Sequence, residues 1–457
     1  MTPTPLSEQF PWVAQTIQAV GNGRNTDAVL AKTPSALRGG VQALAFHVLR
    51  QWAWAHAVVP RLASKKPDAE LKVWLVCGVA LLREPRRYDP HTVVDQVVQA
   101  CKQNHRLKAK APFVNACLRR LVREYDALDQ AVCNEPEVRF NHPTWWIEKL
   151  QAQYPDHWEE ALHCNQTAAP MVLRVNPAHH SAQSYQALLL SETAVQSVTV
   201  GPHGLLLAKP LPVTQLPGFG AGHVSVQDAS PQLAAALVWQ SPLLREKVAA
   251  SAPVALLDAC AAPGGKTAHL LEMGQRIKAD QRVTALELSP KRAVRITDTL
   301  TRLNLAAFAD VVVADGKHTA GWWAGKPFDA ILLDAPCTAS GIVRRHPDVP
   351  WLRRAADVAQ LAQDQQQLLS ALWPLLAPGG RLVYCTCSSF KEEGVWQIDA
   401  FLTAQPDAMI ASDLLAPGHI LPGNVSGNPN LLPDLGENAF MAFDGFFYAV
   451  LDKRAAS

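Results

Sequence analysis

Several features that would mark a membrane protein or a strongly charged nucleic-acid-binding protein are missing from this sequence. None of its apolar runs approaches the roughly 20 residues needed to cross a bilayer. The chain of 457 residues carries a formal net charge of only +2, so overall charge neither requires nor excludes a nucleic-acid partner. Residues 1–12 contain prolines and polar residues instead of a basic run followed by an apolar one, which predicts no secretory signal. We therefore expect a cytoplasmic protein with no membrane segment.

The cysteines do not follow the pattern of a disulfide framework. Nine of them form an odd set at irregular spacings, which indicates reduced thiols in a chain long enough to fold without cross-links. Zinc is a weak alternative, because only one residue separates Cys385 from Cys387 and no histidine pair lies near them. We therefore expect no metal. Hydrophobic residues make up 48% of the chain, which is enough for the cores of two or three globular domains.

The opening third of the chain has apolar residues at helical spacing. Leu44, Val48 and Trp52 form one such stripe, and similar stripes follow it along the chain. This periodicity predicts an all-helical domain over residues 1–139. We interpret the tryptophans and cysteines of this part as core residues, because these residue types are usually buried.

A cationic stretch lies near the end of this helical part. No acidic residue occurs between Asp95 and Glu124, whereas seven basic residues do. They are Lys102, Arg106, Lys108, Lys110, Arg119, Arg120 and Arg123. A concentrated cationic stretch inside a nearly neutral protein is what a phosphate-contacting surface requires. Charge alone leaves two interpretations open, a nucleic-acid surface and a solvated helix face.

The rest of the chain has mixed α/β patterning. Residues 140–235 combine an amphipathic segment with short strand-like runs, which predicts a small α/β module and linker. Within residues 236–457, five short buried-type strands alternate with helices, which predicts a doubly wound, mostly parallel sheet. Ligands of such sheets bind outside the carboxyl ends of the strands, so the residues that follow each strand are the candidate site.

A small-residue loop follows the first of these strands and leads into a helix. It runs from Asp258 to Thr267 and contains two adjacent glycines, which allow the backbone to approach a nucleotide-like ligand at a helix N-terminus. A phosphate-binding P-loop is not indicated, because that motif needs glycine where Cys260 stands, and the dinucleotide fingerprint G-x-G-x-x-G is absent. The next two strands end in Glu287 and Asp315, and the former is suited to the hydroxyls of a ribose.

The fourth and fifth strands end in residues that favour covalent chemistry. The fourth runs into Asp334 and Cys337, and the fifth runs into Cys385 and Cys387. If the two strands are neighbours, Cys337, Cys387 and Asp334 face one crevice, and two thiols beside a carboxylate indicate nucleophilic catalysis. Cys385 lies within the strand, where a buried structural thiol is the simpler interpretation.

Four motifs closely resemble the RNA cytosine-5 methyltransferase family, and within it the bacterial RsmB/Sun (Fmu) type that acts on 16S ribosomal RNA. They are Asp258–Thr267, Leu333–Cys337, Arg344–Asp348 and Thr386–Ser388. The resemblance covers nearly the whole chain. It implies a Rossmann-like class I methyltransferase domain with S-adenosyl-L-methionine as the methyl donor.

The resemblance also implies a role for each site residue. The cofactor-binding set that it implies is Cys260, Ala261, Ala262, Pro263, Gly264, Gly265, Lys266, Glu287, Asp315 and Asp334. Asp334 would also reach the cytosine ring and favour protonation of N3. Cys387 would attack C6, and Cys337 would assist release of the product. A mechanistic alternative makes Cys337 the nucleophile, because Pro336-Cys337 resembles the Pro-Cys nucleophile of DNA cytosine methyltransferases.

Outside the catalytic domain, Phe113–Arg120 resembles the last part of the NusB-like RNA-binding domain of this subfamily. This likeness favours the RNA interpretation of the cationic stretch, to which Arg344 and Arg345 are added. It implies cytosine 967 of 16S ribosomal RNA, free or early in assembly, as the substrate of a monomeric enzyme. The alternatives are a methyltransferase for another RNA and a non-catalytic NusB-like antitermination factor. Two departures from the family pattern are Glu287, where aspartate is common, and Gly394, where asparagine is common.

Overall fold

The computed structural model describes residues 4–63, 65–83, 88–414, 416–423 and 441–455. The helices, in chain order, are α1 (Leu6–Gly21), α2 (Asp27–Leu30), α3 (Ser35–Leu49), α4 (Trp52–Leu62), α5 (Ala69–Leu81), α6 (Pro90–Gln103), α7 (Ala111–Arg123), α8 (Tyr125–Gln130), α9 (Pro136–Phe140), α10 (Thr144–Gln153), α11 (Trp158–Asn165), α12 (Ala182–Thr193), α13 (Ala229–Trp239), α14 (Pro242–Ala249), α15 (Gly265–Arg276), α16 (Pro290–Arg302), α17 (Val349–Leu352), α18 (Ala355–Leu372) and α19 (Val395–Ala404). The strands are β1 (Val172–Val175), β2 (Ser197–Val200), β3 (Gly204–Leu207), β4 (Val224–Val226), β5 (Val254–Ala259), β6 (Gln281–Glu287), β7 (Ala309–Val313), β8 (Phe328–Asp334), β9 (Leu376–Thr386), β10 (Ala408–Ile410), β11 (Gly418–Ile420) and β12 (Phe446–Lys453).

These elements fall into two compact units. The first, called the helical unit, comprises Met1–Ala168 and Val343–Ala355, and the second, called the sheet unit, comprises Ala169–Ile342 and Ala356–Ser457. The division differs from the three predicted segments, because residues 140–168 form helices that pack with α9, and a segment from the last third of the chain belongs to the helical unit.

The helical unit confirms the helical patterning of the opening third. Aspartates begin two of its helices: Asp68 accepts a hydrogen bond from Leu71 N (2.8 Å), and Asp89 accepts one from Thr92 N (2.9 Å). Such side chains satisfy amide donors that have no partner within the helix. The apolar stripes meet in a core whose fully buried aromatic residues include Trp54.

The segment Val343–Ala355 is anchored within the helical unit by polar and aromatic contacts. Buried Asp348 accepts hydrogen bonds from Thr26 through its backbone N (3.1 Å) and its hydroxyl (3.2 Å). Trp351 stacks on Trp52 with 5.6 Å between ring centroids. The motif Arg344–Asp348, which follows the strand β8 of the sheet unit in sequence, is therefore part of the helical unit.

One predicted RNA contact is wrong for this reason. Arg344 is fully buried, and its guanidinium lies 3.8 Å from the sulfur of Cys164. Its carbonyl oxygen accepts a hydrogen bond from Arg50 (2.9 Å). Two adjacent arginines in a sequence motif suggest an exposed, charged surface. Arg344 is instead a buried residue whose contacts hold the segment Val343–Ala355 in the helical unit. Arg345 is half-buried.

The sheet unit contains two sheets. The smaller is antiparallel, with the strand order β2-β3-β1-β4. The larger has the order β10-β12-β9-β8-β5-β6-β7, with β11 paired to β12. Strands β9, β8, β5, β6 and β7 are parallel, whereas β12 runs antiparallel to β9. All five predicted strands are confirmed, and chain order reverses between β5 and β8, where a ligand crevice is expected.

A buried ion pair joins the small sheet to helix α15. Arg174 on β1 donates both Nε (3.0 Å) and Nη2 (2.9 Å) to the carboxylate of Glu272 on α15, and Nη1 to the carbonyl of Gly265 (2.8 Å). Both side chains of the pair are 1% exposed. The contact fixes the start of α15 to the small sheet.

Replacing Arg174 by methionine is expected to lower the free energy of unfolding of the sheet unit by about 3–5 kcal/mol, because it leaves the Glu272 carboxylate buried without its cation. Urea denaturation monitored by circular dichroism measures the change. Arg282→Met is the matched control: its bidentate pair with Asp310 is exposed and should contribute little. Equal destabilisation by the two variants would contradict the prediction.

No helix in the described ranges combines the length and apolarity needed to cross a bilayer. Most of the loop predicted over residues 417–438 lies outside the residues that the structure describes.

Candidate active site

The loop after β5 makes a tight turn into α15. Cys260 has a φ of 63° and Gly264 has a φ of 93°, both in the left-handed region. A Cβ on Gly264 would lie 3.0 Å from the Cα of Ile296, so only glycine fits between this loop and α16. The amide groups at the start of α15 therefore face the carboxyl ends of the strands, where they can approach a ligand.

Asp258, the last-but-one residue of β5, is fully buried below this loop. Its Oδ2 accepts a hydrogen bond from the hydroxyl of Thr267 (2.5 Å), while among the described residues its Oδ1 has no partner. Burial raises the pKa of Asp258 to about 7. The sequence pattern gave no role to this carboxyl group, which ties the two ends of the loop together.

Glu287 ends β6 with its side chain 2% exposed. Its Oε1 accepts hydrogen bonds from Ser289 N (3.0 Å) and Arg292 Nη1 (3.4 Å). Its Oε2 is buried and finds no hydrogen-bond partner within the described residues. A buried carboxylate oxygen in this state favours a hydroxyl donor from a ligand.

A cleft of about 210 Å³ opens at the ends of β5, β6 and β7. Cys260, Asp315 and Pro336 are among the residues that line it. Asp315 accepts hydrogen bonds from Lys317 N (2.9 Å) and from the His318 ring (3.2 Å), which fix the orientation of its carboxylate. The structure therefore brings the predicted loop and Asp315 to one cleft.

Strands β8 and β9 are parallel neighbours, as the crevice interpretation required. The sulfur atoms of Cys337 and Cys387 lie 3.4 Å apart. The hydrogen bond with Cys387, and then burial, raise the pKa of the Cys337 thiol well above its ordinary value. Either thiol of the pair can donate its proton toward the other sulfur.

Asp334 lies at the end of β8 between a cation and a third thiol. Its Oδ2 accepts from the Lys266 ammonium (2.7 Å), and its Oδ1 accepts from the Cys385 thiol (3.6 Å). Burial opposes the charge on Lys266, but Asp334 outweighs it and raises the pKa of that ammonium. Burial raises the pKa of Cys385 well above its ordinary value, so this thiol remains protonated, as expected for a structural cysteine.

No sequence pattern predicted a role for Glu393, a buried carboxylate that lies behind the two thiols. Glu393 is fully buried and bonds to residues of both cysteine-bearing loops. Gly394 follows it, at the position where asparagine is common in the family. A Cβ at this position would lie 2.3 Å from the ring of His419, so the glycine leaves room for that ring. That ring accepts a hydrogen bond from Val395 N (3.3 Å) at the start of α19.

In the helical unit, the predicted cationic residues are largely accessible. Lys102, Arg119 and Arg123 line a cleft of about 680 Å³ between α6 and α7. Arg106, Lys108 and Lys110 are exposed nearby in sequence. Arg120 instead pairs with Glu124 (2.8 Å), so part of its charge is neutralised within α7. No group of three or more metal-ligating side chains was found in the part of the chain that the structure describes.

The parallel order β9-β8-β5-β6-β7, the antiparallel strand β12 and a glycine-containing loop after β5 define a class I S-adenosylmethionine-dependent methyltransferase fold. The family model for the 16S rRNA methyltransferase RsmB/F matches residues 249–452. A second model, for the ferredoxin-like domain of RsmF/B-like methyltransferases, matches residues 142–214.

Curated relatives match along most of the chain. Ribosomal RNA small subunit methyltransferase B of Vibrio cholerae is 38% identical, over 91% of this chain and 89% of the relative. The protein of the same name from Pseudomonas syringae is also 38% identical, over 92% and 90%. The chain therefore belongs to the RsmB/F family of rRNA methyltransferases. The crystal structure of PH0851 shares the fold, with a TM-score of 0.72 at 21% identity over 99% of this chain and 100% of that one.

Proposed function

We propose that this enzyme methylates carbon 5 of a cytosine in 16S ribosomal RNA, with Cys387 as the nucleophile. The observation that carries the proposal is the pair of thiols of Cys337 and Cys387, whose sulfur atoms lie 3.4 Å apart after two neighbouring strands, β8 and β9. Methylation of an oxygen or an amino nitrogen needs no cysteine nucleophile, whereas carbon 5 of cytosine becomes reactive only after a nucleophile adds to carbon 6.

The attack step uses the division of roles between the two thiols. The Cys387 thiol gives up its proton to solvent and its sulfur forms a bond to C6. The electron pair of the C5–C6 double bond then forms a C4–C5 double bond, and N3, which receives the electron pair of its double bond to C4, takes a proton. Asp334 is suited to relay that proton to N3 from the Lys266 ammonium, which lies 2.7 Å from its carboxylate. The Cys337 thiol, whose sulfur lies 3.4 Å away, is placed to donate a hydrogen bond to the Cys387 sulfur and stabilise charge on it during the approach.

The second half of the reaction restores the aromatic ring. When bound, S-adenosylmethionine would supply an electrophilic methyl group on its sulfonium. C5 would form a bond to that methyl while the bond from the methyl to sulfur breaks and its electron pair stays on the sulfur. The C5 proton then passes to solvent, its electron pair reforms the C5–C6 double bond, and the Cys387 sulfur leaves C6 with the electron pair of the broken bond, while N3 returns its proton to Asp334. We assign assistance in this release to Cys337, whose sulfur lies 3.4 Å from that of Cys387. The RNA leaves carrying 5-methylcytosine.

Residues that follow strands β5, β6 and β7 at this edge of the sheet fit the methyl donor. Glu287 Oε2 is suited to the ribose hydroxyls because it is buried and lacks a protein partner among the described residues. Asp315 lines the cleft where the adenine side would bind. The loop from Cys260 to Gly265 would hold the methionine side with its amide groups. Lys266, the next residue of this loop, would help to hold the cofactor and also forms the ion pair with Asp334.

Glu287→Gln is expected to raise the Kd for S-adenosylmethionine by about tenfold or more, because a charged acceptor for two hydroxyls becomes a neutral amide with one acceptor. Isothermal titration calorimetry measures the change. Asp310→Asn, an exposed carboxamide substitution on β7, is the control and should bind normally. A normal Kd for Glu287→Gln would remove this residue from the cofactor site.

The RNA substrate is inferred from charge and from family membership. Lys102, Arg119 and Arg123 supply cations along one cleft of the helical unit, which suits the phosphate backbone of RNA. The curated relatives are named for the small-subunit ribosomal RNA. The target that we propose, cytosine 967, follows from the subfamily resemblance.

The proposal is tested by mapping 5-methylcytosine in 16S ribosomal RNA with bisulfite sequencing, in a strain that lacks the gene and in the same strain carrying it. One cytosine should lose its methyl group in the deletion strain and regain it on complementation. Purified enzyme should then transfer labelled methyl to RNA from the deletion strain. An unchanged bisulfite profile would contradict the proposed substrate. If S-adenosylmethionine binding were also absent, a non-catalytic RNA-binding role would replace it.

A further inference from the structure

The buried carboxylate of Glu393 receives hydrogen bonds from both loops that carry the thiols. Its Oε1 accepts from Thr338 N (2.8 Å), and its Oε2 accepts from the Thr338 and Ser388 hydroxyls. Thr338 directly follows Cys337, and Ser388 directly follows Cys387. A single carboxylate therefore bridges the residues next to the two sulfur atoms.

Further hydrogen bonds join the same two loops. Ser340 Oγ accepts from Ser389 N (2.9 Å) and lies 2.9 Å from Ser388 Oγ. Because the Ser388 hydroxyl donates to Glu393, the Ser340 hydroxyl donates to Ser388. The chain of donors ends on the carboxylate. Gly341 N also donates to the carbonyl of Cys387 (3.0 Å).

The network is consistent with an ionised Glu393. Gln365 Nε2, on α18, is a further donor to Oε1 (3.1 Å). The carboxylate is therefore the acceptor in each of its hydrogen bonds to the two loops and to α18. Burial disfavours the charge and raises the pKa of Glu393, while the hydroxyl and amide donors act in the opposite direction. Removing this acceptor would leave several buried donors without a partner, and the loops would have to rearrange to satisfy them.

We propose that Glu393 is a positioning residue that holds the thiols of Cys337 and Cys387 at reacting distance. The inference rests on the proposed function, in which one thiol attacks and the other assists release. The hydrogen bonds of the Glu393 carboxylate go to the two cysteine-bearing loops and to α18, away from Glu287 and Asp315, so its loss should leave the binding of S-adenosylmethionine unchanged. Its effect should fall on the steps that need both sulfur atoms.

The distance between the thiols can be tested without any RNA. Phenylarsine oxide bridges two thiols that lie close together, so the native protein should bind it with a stoichiometry of one at this pair. Cys337→Ala and Cys387→Ala should each abolish that binding. Glu393→Ala should weaken it about tenfold or more, because the loops no longer hold the sulfur atoms together. Unchanged arsenical affinity in Glu393→Ala would overturn the inference.

Kinetics with RNA form the second arm. Glu393→Ala should lower kcat about 100-fold, the cost expected of a misplacement of about 1 Å, with the Kd for S-adenosylmethionine within about twofold of the wild type. Glu393→Gln should restore most of the rate, because its oxygen accepts from Thr338 N while its amide donates to the hydroxyls. An equal loss in Glu393→Gln and Glu393→Ala would overturn the positioning role.

Controls separate positioning from general instability. Asp329→Ala removes another buried carboxylate, at the opposite end of β8, where it accepts from Ala255 N (2.9 Å) and Lys247. It should lower the melting temperature without changing arsenical affinity. If Glu393→Ala does not fold, Thr338→Val removes one hydroxyl donor and should weaken arsenical binding about threefold. Normal binding in Thr338→Val would then overturn the inference.

The two arms also distinguish this inference from the proposed function. If the wild-type enzyme methylates no cytosine but the arsenical affinity depends on Glu393, the thiol placement stands and the proposed function fails. If methylation proceeds and the arsenical affinity is independent of Glu393, the proposed function stands and the inference fails.

Discussion

Cys387→Ala is expected to lower kcat/KM for methyl transfer by about 10⁴-fold or more, the scale on which enzymes lose activity when a covalent nucleophile is removed. Without the sulfur, no bond forms at C6 and C5 of cytosine does not become nucleophilic. The variant should also fail to form a stable adduct with RNA containing 5-fluorocytosine, in which fluorine at C5 prevents release. Labelled methyl transfer and denaturing gel electrophoresis measure the two effects.

Cys337→Ala provides the contrast. The attacking sulfur remains, so the adduct with 5-fluorocytosine RNA should form, and ordinary RNA should accumulate as a covalent complex because release is slowed. Cys133→Ala, which removes a partly exposed thiol of the helical unit, should behave as wild type. Adduct formation by Cys387→Ala, combined with its absence in Cys337→Ala, would reverse the assignment and make Cys337 the nucleophile.

Asp334→Asn should lower kcat by about 10²- to 10⁴-fold, the contribution typical of general acid–base catalysis. The amide can still occupy the space between Lys266 and Cys385, but it cannot take a proton from Lys266 and pass it to N3. The Lys266 ammonium also loses its counter-ion in a site where its side chain is only 13% exposed, so stability should fall as well. Steady-state kinetics and thermal melting report the two effects separately.

Lys247→Met serves as the matched control for the loss of stability. It breaks the ion pair with Asp329 at the opposite end of the strand that carries Asp334, so it should lower the melting temperature and leave kcat unchanged. If Asp334→Asn retained more than about a tenth of the wild-type kcat, the proton-delivery role would have to be assigned to another group.

The sequence predicted the sheet and the strand-end site because both depend on local patterns. Alternating strands and helices set the order of the large sheet, and parallel strands bring their carboxyl ends to one edge. The proximity of Cys337 and Cys387 follows directly once β8 and β9 are neighbours. The assignment of distinct roles to the two thiols came from family resemblance, since both residues have the same chemistry and the same position at a strand end.

The burial of three charged residues could not be predicted from the sequence, because it depends on contacts between residues that are distant in the chain. Arg174 lies on a short strand with no catalytic motif, yet its guanidinium binds Glu272 and the backbone of Gly265. Glu393 lies in an acidic, exposed-looking segment of sequence, but two loops bury it. Arg344 is adjacent to another arginine and so resembles surface charge, but it is fully buried. Burial of a charged residue has no local sequence signal.

The anchoring of Val343–Ala355 has a consequence for synthesis of the chain. Thr26 and its hydrogen-bond acceptor Asp348 are separated by 322 residues, so at ribosomal rates of about 5–20 residues per second the donor waits for its acceptor on the order of tens of seconds. During that interval Trp52 lacks the ring of Trp351. The domain that begins first on the ribosome is therefore completed only after the strand bearing Asp334 has been made.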